Sequence, residues 1–279
     1  MNEKYATLEE YVPGEQPTDM KYIKLNTNES PFKPSPLIYE ALNRCEIDKL
    51  PLYPDPECGS LTKKLADYYG FDEENIFIGN GSDEVLNFAF MAFCQNGVAF
   101  ADITYGFYKV FADLHGIETQ IIPLKDDFSI SADDYKSLGK AVFIANPNAP
   151  TGMALSLSDI EKIVASNTNN VVIIDEAYVD FGGESAVNLV KKYDNVLVVR
   201  TYSKSRSLAG GRLGFSIGGK EITADLKKLK YSTNPYNINR LALLAGEASI
   251  DDEKYFRDNI NKIIENREYT SKELKNMGF

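Results

Sequence analysis

Lys204 stands among hydroxyls and small residues in the stretch Thr201-Tyr202-Ser203-Lys204-Ser205-Arg206-Ser207-Leu208-Ala209-Gly210-Gly211-Arg212. A lysine is ordinarily a solvated surface cation. Here the small neighbours let backbone approach a ligand closely. Arg206 and Arg212 could favour loss of the lysine proton, which a Schiff base with a carbonyl requires. Asp175 closes an apolar run, Val171-Val172-Ile173-Ile174, and leads into Glu176-Ala177-Tyr178. It is therefore expected at the C-terminal end of a buried strand, outside which open α/β sheets bind ligands. Taken alone, Asp175 reads more simply as a helix N-cap or loop acid.

Gly79-Asn80-Gly81-Ser82-Asp83-Glu84 reads as a turn that opens a helix. A phosphate could rest on the amides of Ser82 and Asp83 at that helix N-terminus; the plainer reading is a turn capped by Ser82. The same residues form half of a dinucleotide fingerprint, but Glu84 stands where the third glycine belongs. Asn146-Pro147-Asn148-Ala149-Pro150-Thr151-Gly152 makes a rigid turn after a strand. Either asparagine could contact a ligand or simply form the turn. Tyr105 lies at another strand end and could stack on an aromatic ring, although a rim or core tyrosine is commoner. A Schiff-base lysine, an acid for a pyridinium nitrogen and an anion site for a phosphate together are what pyridoxal phosphate needs. Asp175 would keep that ring protonated, and Tyr178 could donate to its phenolate oxygen.

The elements that must position these residues alternate. Strands are expected at 75–78, 98–101, 118–123, 141–145, 171–174, 196–200 and 213–217, rich in valine and isoleucine. Helices are expected at 35–45, 60–69, from the turn at 79–84 to 93, at 105–115, and at 156–166 with Ser156 or Ser158 as N-cap. From Ala224 onward the pattern is mainly helical, interrupted at Pro235, with one long helix over 255–276. The first thirty or so residues read as an arm punctuated by Pro13, Gly14, Pro17 and Pro31. The expected fold is α/β, a mostly parallel central sheet flanked by helices, with a partial small domain. Residues 1–45 would form the arm and part of that small domain, 46–247 the large domain, and 248–279 the start of the C-terminal small domain.

Composition narrows the partners. Of the 279 residues, 41 are acidic and 30 basic, for a net charge of −11, which disfavours nucleic acid and anionic membranes. The cysteines, Cys45, Cys58 and Cys94, share no metal-like spacing and read as free thiols in a reducing compartment. His115 is the only histidine, so a Ser-His-Asp triad or multi-histidine metal site is not expected; it reads as a cation near a helix C-terminus. No apolar signal core opens the chain, and the apolar runs are too short to span a bilayer. A cytoplasmic enzyme without a metal is the expectation.

As an ordered set, Gly-x-Gly-Ser-Asp-Glu, Thr-Tyr-Gly-x-Tyr, Asn-Pro-Asn-x-Pro-Thr-Gly, Asp-Glu-Ala-Tyr and Ser-Lys-x-x-x-Leu-Ala-Gly-x-Arg resemble the class I/II, fold-type I pyridoxal-phosphate aminotransferases. The likeness covers the span from Ser30 to Phe215. Tyr11-Val12-Pro13-Gly14, Leu25-Asn26-Thr27-Asn28-Glu29-Ser30-Pro31 and Leu52-Tyr53-Pro54-Asp55 carry a narrower likeness to the histidinol-phosphate aminotransferase group. The resemblance implies that Lys204 holds the cofactor and then moves the proton between the substrate α-carbon and the cofactor. It implies that Asp175 pairs with the pyridinium nitrogen, Tyr178 bonds the phenolate oxygen and Tyr105 stacks on the ring. Ser82, Asp83, Thr201, Ser203 and Arg212 would hold the phosphate, and Tyr53 would reach the phosphate of the neighbouring subunit's cofactor in a homodimer. Tyr11 and Asn28 would lie near the substrate. The implied reaction is transamination of histidinol phosphate with 2-oxoglutarate and glutamate as the other pair.

Two departures from the family pattern stand out. Ala149 replaces the asparagine that usually precedes Pro-Thr-Gly, leaving Asn148 as the expected contact to the phenolate oxygen. The chain is also shorter than its family, so the arginine expected to clamp the substrate carboxylate falls outside it; Arg257 and Arg267 read as solvated helix surface. The alternatives carried with this reading are a pyridoxal-phosphate decarboxylase of a phosphorylated amino acid, an aromatic amino acid aminotransferase, a cofactor-binding protein of little activity, and a nicotinamide dehydrogenase.

Overall fold

The computed structural model describes residues 5, 8, 12–15, 19, 20 and 22–279. Seven strands, β1 (Ile76–Gly79), β2 (Val98–Ala101), β3 (Thr119–Ile122), β4 (Ala141–Ala145), β5 (Val172–Asp175), β6 (Val196–Thr201) and β7 (Gly214–Gly218), form one sheet in the order β1-β7-β6-β5-β4-β2-β3. β2 to β6 run parallel, while β7 pairs antiparallel with both β6 and β1. The sheet is thus mostly parallel, as the alternating pattern predicts, with one reversed strand.

Nine helices join the strands or flank them among the described residues: α1 (Pro36–Ala41), α2 (Arg44–Ile47), α3 (Gly59–Tyr69), α4 (Ser82–Phe93), α5 (Phe107–His115), α6 (Leu157–Ser166), α7 (Lys220–Thr233), α8 (Arg240–Asp251) and α9 (Glu253–Asn276). The helix expected over 35–45 is broken. α1 ends at Ala41 and is capped by Leu42, and Asn43 opens α2 by accepting the Glu46 amide on its side chain at 3.2 Å. The asparagine side chain competes with the backbone for that amide and so starts a new helix.

Helices cover both faces of the sheet, which is why its central strands read as continuous apolar runs. Along β5 and β6, Val172, Ile174, Val196 and Val198 face one core with Ile160, Ile163 and Val164 of α6. The intervening Ile173, Leu197 and Val199 face the other, with Val85 and Leu86 of α4 and Phe111 of α5. Burying β-branched side chains on both faces leaves only the strand ends free for polar chemistry. Ser156 caps α6 by accepting the Asp159 amide at 3.2 Å. His115 ends α5, where its Nε2 lies 2.7 Å from Asn87 Oδ1 and Gly116 closes the helix at φ 68°.

Candidate active site

A cavity of about 340 Å³ opens where Ala145, Asp175 and Thr201 end β4, β5 and β6. Ser82 and Asp83, the first residues of α4, line it from one side; Lys204, Ala209, Gly210 and Arg212 line it from the loop between β6 and β7. The arm closes it with Thr27 and Glu29.

Asp175 forms part of the floor. Its buried carboxylate accepts the Tyr108 hydroxyl at 3.0 Å and the Ala177 amide at 3.1 Å. Burial pushes its pKa up from the ordinary 3.8 to about 6, with the two hydrogen bonds opposing that rise. Among the described residues Asp175 takes part in no ion pair. Tyr108, fully buried on α5, was not foreseen; its place in the run Thr104-Tyr105-Gly106-Phe107-Tyr108, three residues after Tyr105, is the signal that could have found it.

Lys204 projects over the cavity. Its Nζ donates to the Thr27 carbonyl at 2.9 Å and lies 5.6 Å from the centre of the Tyr178 ring. The Tyr178 hydroxyl accepts Asn28 Nδ2 at 3.1 Å. Thr27 and Asn28 both have left-handed backbone, at φ 59° and 51°. For a β-branched threonine this is an outlier, and it turns the Thr27 carbonyl toward the lysine. Glu29, held by Lys24 at 2.6 Å, has its carboxyl pKa lowered chiefly by that bond.

The anion-binding side is built from small residues and donors. A Cβ at Gly214 would lie 2.3 Å from the Ser82 nitrogen, and one at Gly81 would lie 2.7 Å from Arg212 Nη2. Glycine at both positions lets β7 and the Arg212 guanidinium approach the start of α4. First-turn amides of a helix have no intrahelical partner and attract anions. The Asp83 carboxylate accepts the Tyr105 hydroxyl at 2.8 Å and Arg212 at 3.1 Å, so it orients both. Thr201 Oγ1 accepts the Ser203 amide at 3.1 Å, holding the two hydroxyl-bearing residues in one turn.

Beneath the cavity lies a buried ion network that the sequence did not suggest. Arg200 donates to Glu176 at 2.8 Å and to Asp180 at 2.6 Å, and Ser205 donates to Asp180 at 2.5 Å. It ties the loop after β5 to the residue following Lys204.

Several expected residues lie elsewhere. Asn148 is buried but does not line the cavity: it accepts Thr104 Oγ1 at 2.8 Å and donates to the Ile103 carbonyl at 2.9 Å and to Thr151 Oγ1 at 3.2 Å. Ala149 lines the cavity instead. Tyr53 is exposed and stacks on Tyr236, ring centres 4.5 Å apart, outside the cavity. Tyr11 lies outside the described residues. Arg206 turns away from Lys204 and donates to the Ser249 carbonyl at 2.5 Å, so it is not the second cation beside the lysine. Arg257 pairs with Glu253, while Arg267 donates to the Phe181 carbonyl at 2.6 Å rather than only to solvent.

The donor set fits pyridoxal phosphate. Backbone amides, hydroxyls and the Arg212 guanidinium suit a phosphate. A buried acid outside any described ion pair suits a pyridinium nitrogen, and a lysine on the same cavity suits Schiff-base chemistry.

Comparison with known proteins agrees with this geometry. The family model described as aminotransferase class I and II matches residues 20–279. The chain is 54% identical to a histidinol-phosphate aminotransferase of Brachyspira hyodysenteriae, over all of this chain and 80% of that protein. It is also 54% identical to the protein of that name from Clostridium acetobutylicum, with the same coverage. Among solved structures, a histidinol-phosphate aminotransferase from Clostridium acetobutylicum superposes with a TM-score of 0.82 at 26% identity, covering 91% of this chain and 77% of that one. An aspartate aminotransferase from Thermotoga maritima has the same fold, with a TM-score of 0.76 at 24% identity, covering 90% of this chain and 72% of that one.

Proposed function

Because this chain belongs to the class I and II aminotransferase family, we propose that it uses pyridoxal 5'-phosphate to exchange the amino group of histidinol phosphate with 2-oxoglutarate and glutamate. The observation that carries the proposal is the meeting of Lys204, Asp175 and the Ser82–Arg212 anion site on one cavity.

Pyridoxal phosphate, when bound, supplies an electron sink that stabilises negative charge at the substrate α-carbon. The chain's own residues do the rest. Asp175, held by Tyr108 and the Ala177 amide, would offer its carboxylate to the ring nitrogen. The α4 amides, Thr201, Ser203 and Arg212 would hold the phosphate end and resist its sliding. Tyr105, oriented by Asp83, would cover one ring face, and Tyr178, oriented by Asn28, would donate to the phenolate oxygen. Lys204 would take the proton from the substrate α-carbon as a general base and give it up as an acid on the cofactor side, not back to that carbon, which is the net transfer that transamination requires. Holding the lysine and the α-carbon in one place removes much of the entropic barrier.

The enzyme acts as a homodimer in the cytoplasm. Tyr53 would reach from each protomer toward the other's phosphate, and Asn28 would lie near the substrate. The exposure of the Tyr53–Tyr236 pair supports the dimer; among the described residues no helix is long and apolar enough to cross a membrane.

Initial rates with histidinol phosphate and 2-oxoglutarate varied together test the reaction. Parallel double-reciprocal lines are expected, since each half-reaction leaves the enzyme before the next begins. Intersecting lines, or no glutamate formed, would refute the proposal.

A further inference from the structure

Residues 204 to 207 are tied to three parts of the fold, the arm, the loop after β5 and the α8–α9 corner. Lys204 donates to Thr27 in the arm and Ser205 to Asp180 after β5, while Ser207 meets Ser30 Oγ at 2.8 Å. Arg206 alone crosses to the α8–α9 corner. Its guanidinium is buried, donates to the Ser249 carbonyl at 2.5 Å, and lies 3.9 Å from the centre of the Phe256 ring on α9. Tyr68 of α3 and Tyr202 present rings at 5.6 and 5.8 Å, and Glu253 Oε2 stands 3.9 Å away.

The corner that holds Arg206 also holds the arm. Ser35 donates to Asp252 at 2.5 Å, and Tyr255 donates to the Lys33 carbonyl at 2.9 Å. The arm in turn supplies the carbonyl that holds Lys204 Nζ. The lysine is therefore reached from the α8–α9 corner by two routes, one through the arm and one through the backbone of its own loop. A flat guanidinium gripped by a carbonyl and an aromatic face fixes direction as well as distance, which a lysine ammonium does less well.

We propose that Arg206 is a positioning residue through which the α8–α9 corner sets the place of the Lys204 side chain over the cavity. This rests on Lys204 being the acting lysine. A displacement of about 1 Å at a reacting group can lower turnover by about 100-fold without touching the reactants.

The test compares Arg206→Met, Arg206→Lys and Phe256→Leu with Arg257→Met, which alters the exposed arginine beside the same ring. Arg206→Met is expected to lower kcat by about 10- to 100-fold with the KM for histidinol phosphate changed less than about threefold. It should also shift the pH midpoint of the Lys204-dependent visible band; the charged and titratable groups sharing the cavity with Lys204 are Glu29, Asp83, Tyr105, Asp175, Tyr178 and Arg212. Arg206→Lys should recover part of the loss, Phe256→Leu should follow Arg206→Met in milder form, and Arg257→Met should leave all three readouts unchanged. A folded Arg206→Met with an unmoved band and unchanged kcat, or one in which only the melting temperature falls, overturns the proposal.

A second readout needs no cofactor. The rate at which an amine-directed reagent modifies Lys204, followed by peptide mass mapping, should change in Arg206→Met relative to the other lysines. An unchanged rate counts against positioning. If the wild type shows no Lys204-dependent band, the functional reading fails by itself, and this labelling rate still decides the claim about Arg206. Should Arg206→Met fail to fold, Phe256→Leu is judged by the same criteria.

Discussion

The hydroxyl of Tyr108 lies 3.0 Å from the Asp175 carboxylate, and both side chains are buried. This bond and the Ala177 amide are what oppose the effect of burial on Asp175. Tyr108→Phe removes the donor and leaves the shape. The carboxyl pKa should then rise further, so the acid limb of the kcat/KM profile should move to higher pH. Hydrogen bonds to charged groups contribute about 1.5–3 kcal/mol, so kcat near neutral pH should fall by about tenfold or more. An unmoved acid limb in Tyr108→Phe contradicts the role given to the bond.

Asp175 should also lower the stability of the cofactor-free chain. Its folded pKa, about 6, lies above the ordinary 3.8. A raised acid favours the folded state at low pH, and that contribution is lost as pH rises through the folded value. The window is therefore about pH 4 to 6, and a shift of this size corresponds to about 3 kcal/mol. Asp175→Asn should abolish transamination yet make the cofactor-free protein more stable above pH 6. Denaturant unfolding at pH 5 and pH 8 checks this; equal stability of variant and wild type at pH 8 would show that the carboxylate is not strained by burial.

Arg212 should matter to the cofactor more than to the fold. Its ion pair with Asp83 is half-exposed, and such pairs contribute about 0–1 kcal/mol. Arg212→Met should weaken pyridoxal phosphate binding by about 10- to 100-fold, the loss of a charge-assisted phosphate contact. Unfolding of the cofactor-free chain should change by less than about 1 kcal/mol. Equilibrium titration with the cofactor measures the first and denaturant unfolding the second; a large stability loss with unchanged affinity reverses the assignment.

Gly214→Ala places a Cβ 2.3 Å from the Ser82 nitrogen, against backbone that cannot yield easily. Overpacking of this kind costs about 1–3 kcal/mol. Because the displaced atom belongs to the anion site, cofactor affinity should fall along with stability. A variant that binds cofactor normally would mean that the close approach of β7 and α4 does not shape the phosphate site.

Arg200 balances both Glu176 and Asp180 in a buried network. Arg200→Met leaves two carboxylates without it and should destabilise the chain by about 3–5 kcal/mol. Thermal or denaturant unfolding measures this, and a loss below about 1 kcal/mol would contradict the account of the network.

Much of this site was legible because parallel strands announce themselves. Val171 to Ile174 and Val196 to Val199 are apolar and mostly β-branched, so Asp175 was readable as a strand end and the second strand as ending beside Thr201. Of the small residues after Lys204, Ala209 and Gly210 line the cavity, while the close approaches fall at Gly81 and Gly214. What escaped depends on direction or on distant partners. Nothing local tells that β7 runs backwards, that Arg206 points to α9 rather than to Lys204, or that the Asn148 amide is engaged by Thr104 and Ile103. Tyr108 reads as an ordinary core aromatic until the fold brings Asp175 beneath its hydroxyl. The break between α1 and α2 follows from one asparagine side chain, too small a signal to separate from a continuous helix.

The most direct measurement is the visible absorption spectrum of the protein with pyridoxal phosphate, before and after histidinol phosphate, with Lys204→Ala alongside. The account predicts a band that requires Lys204 and is bleached by histidinol phosphate, then restored by 2-oxoglutarate. A Lys204-dependent band that histidinol phosphate leaves untouched would contradict the proposed substrate, and a band equally strong in Lys204→Ala would contradict the role of the lysine itself.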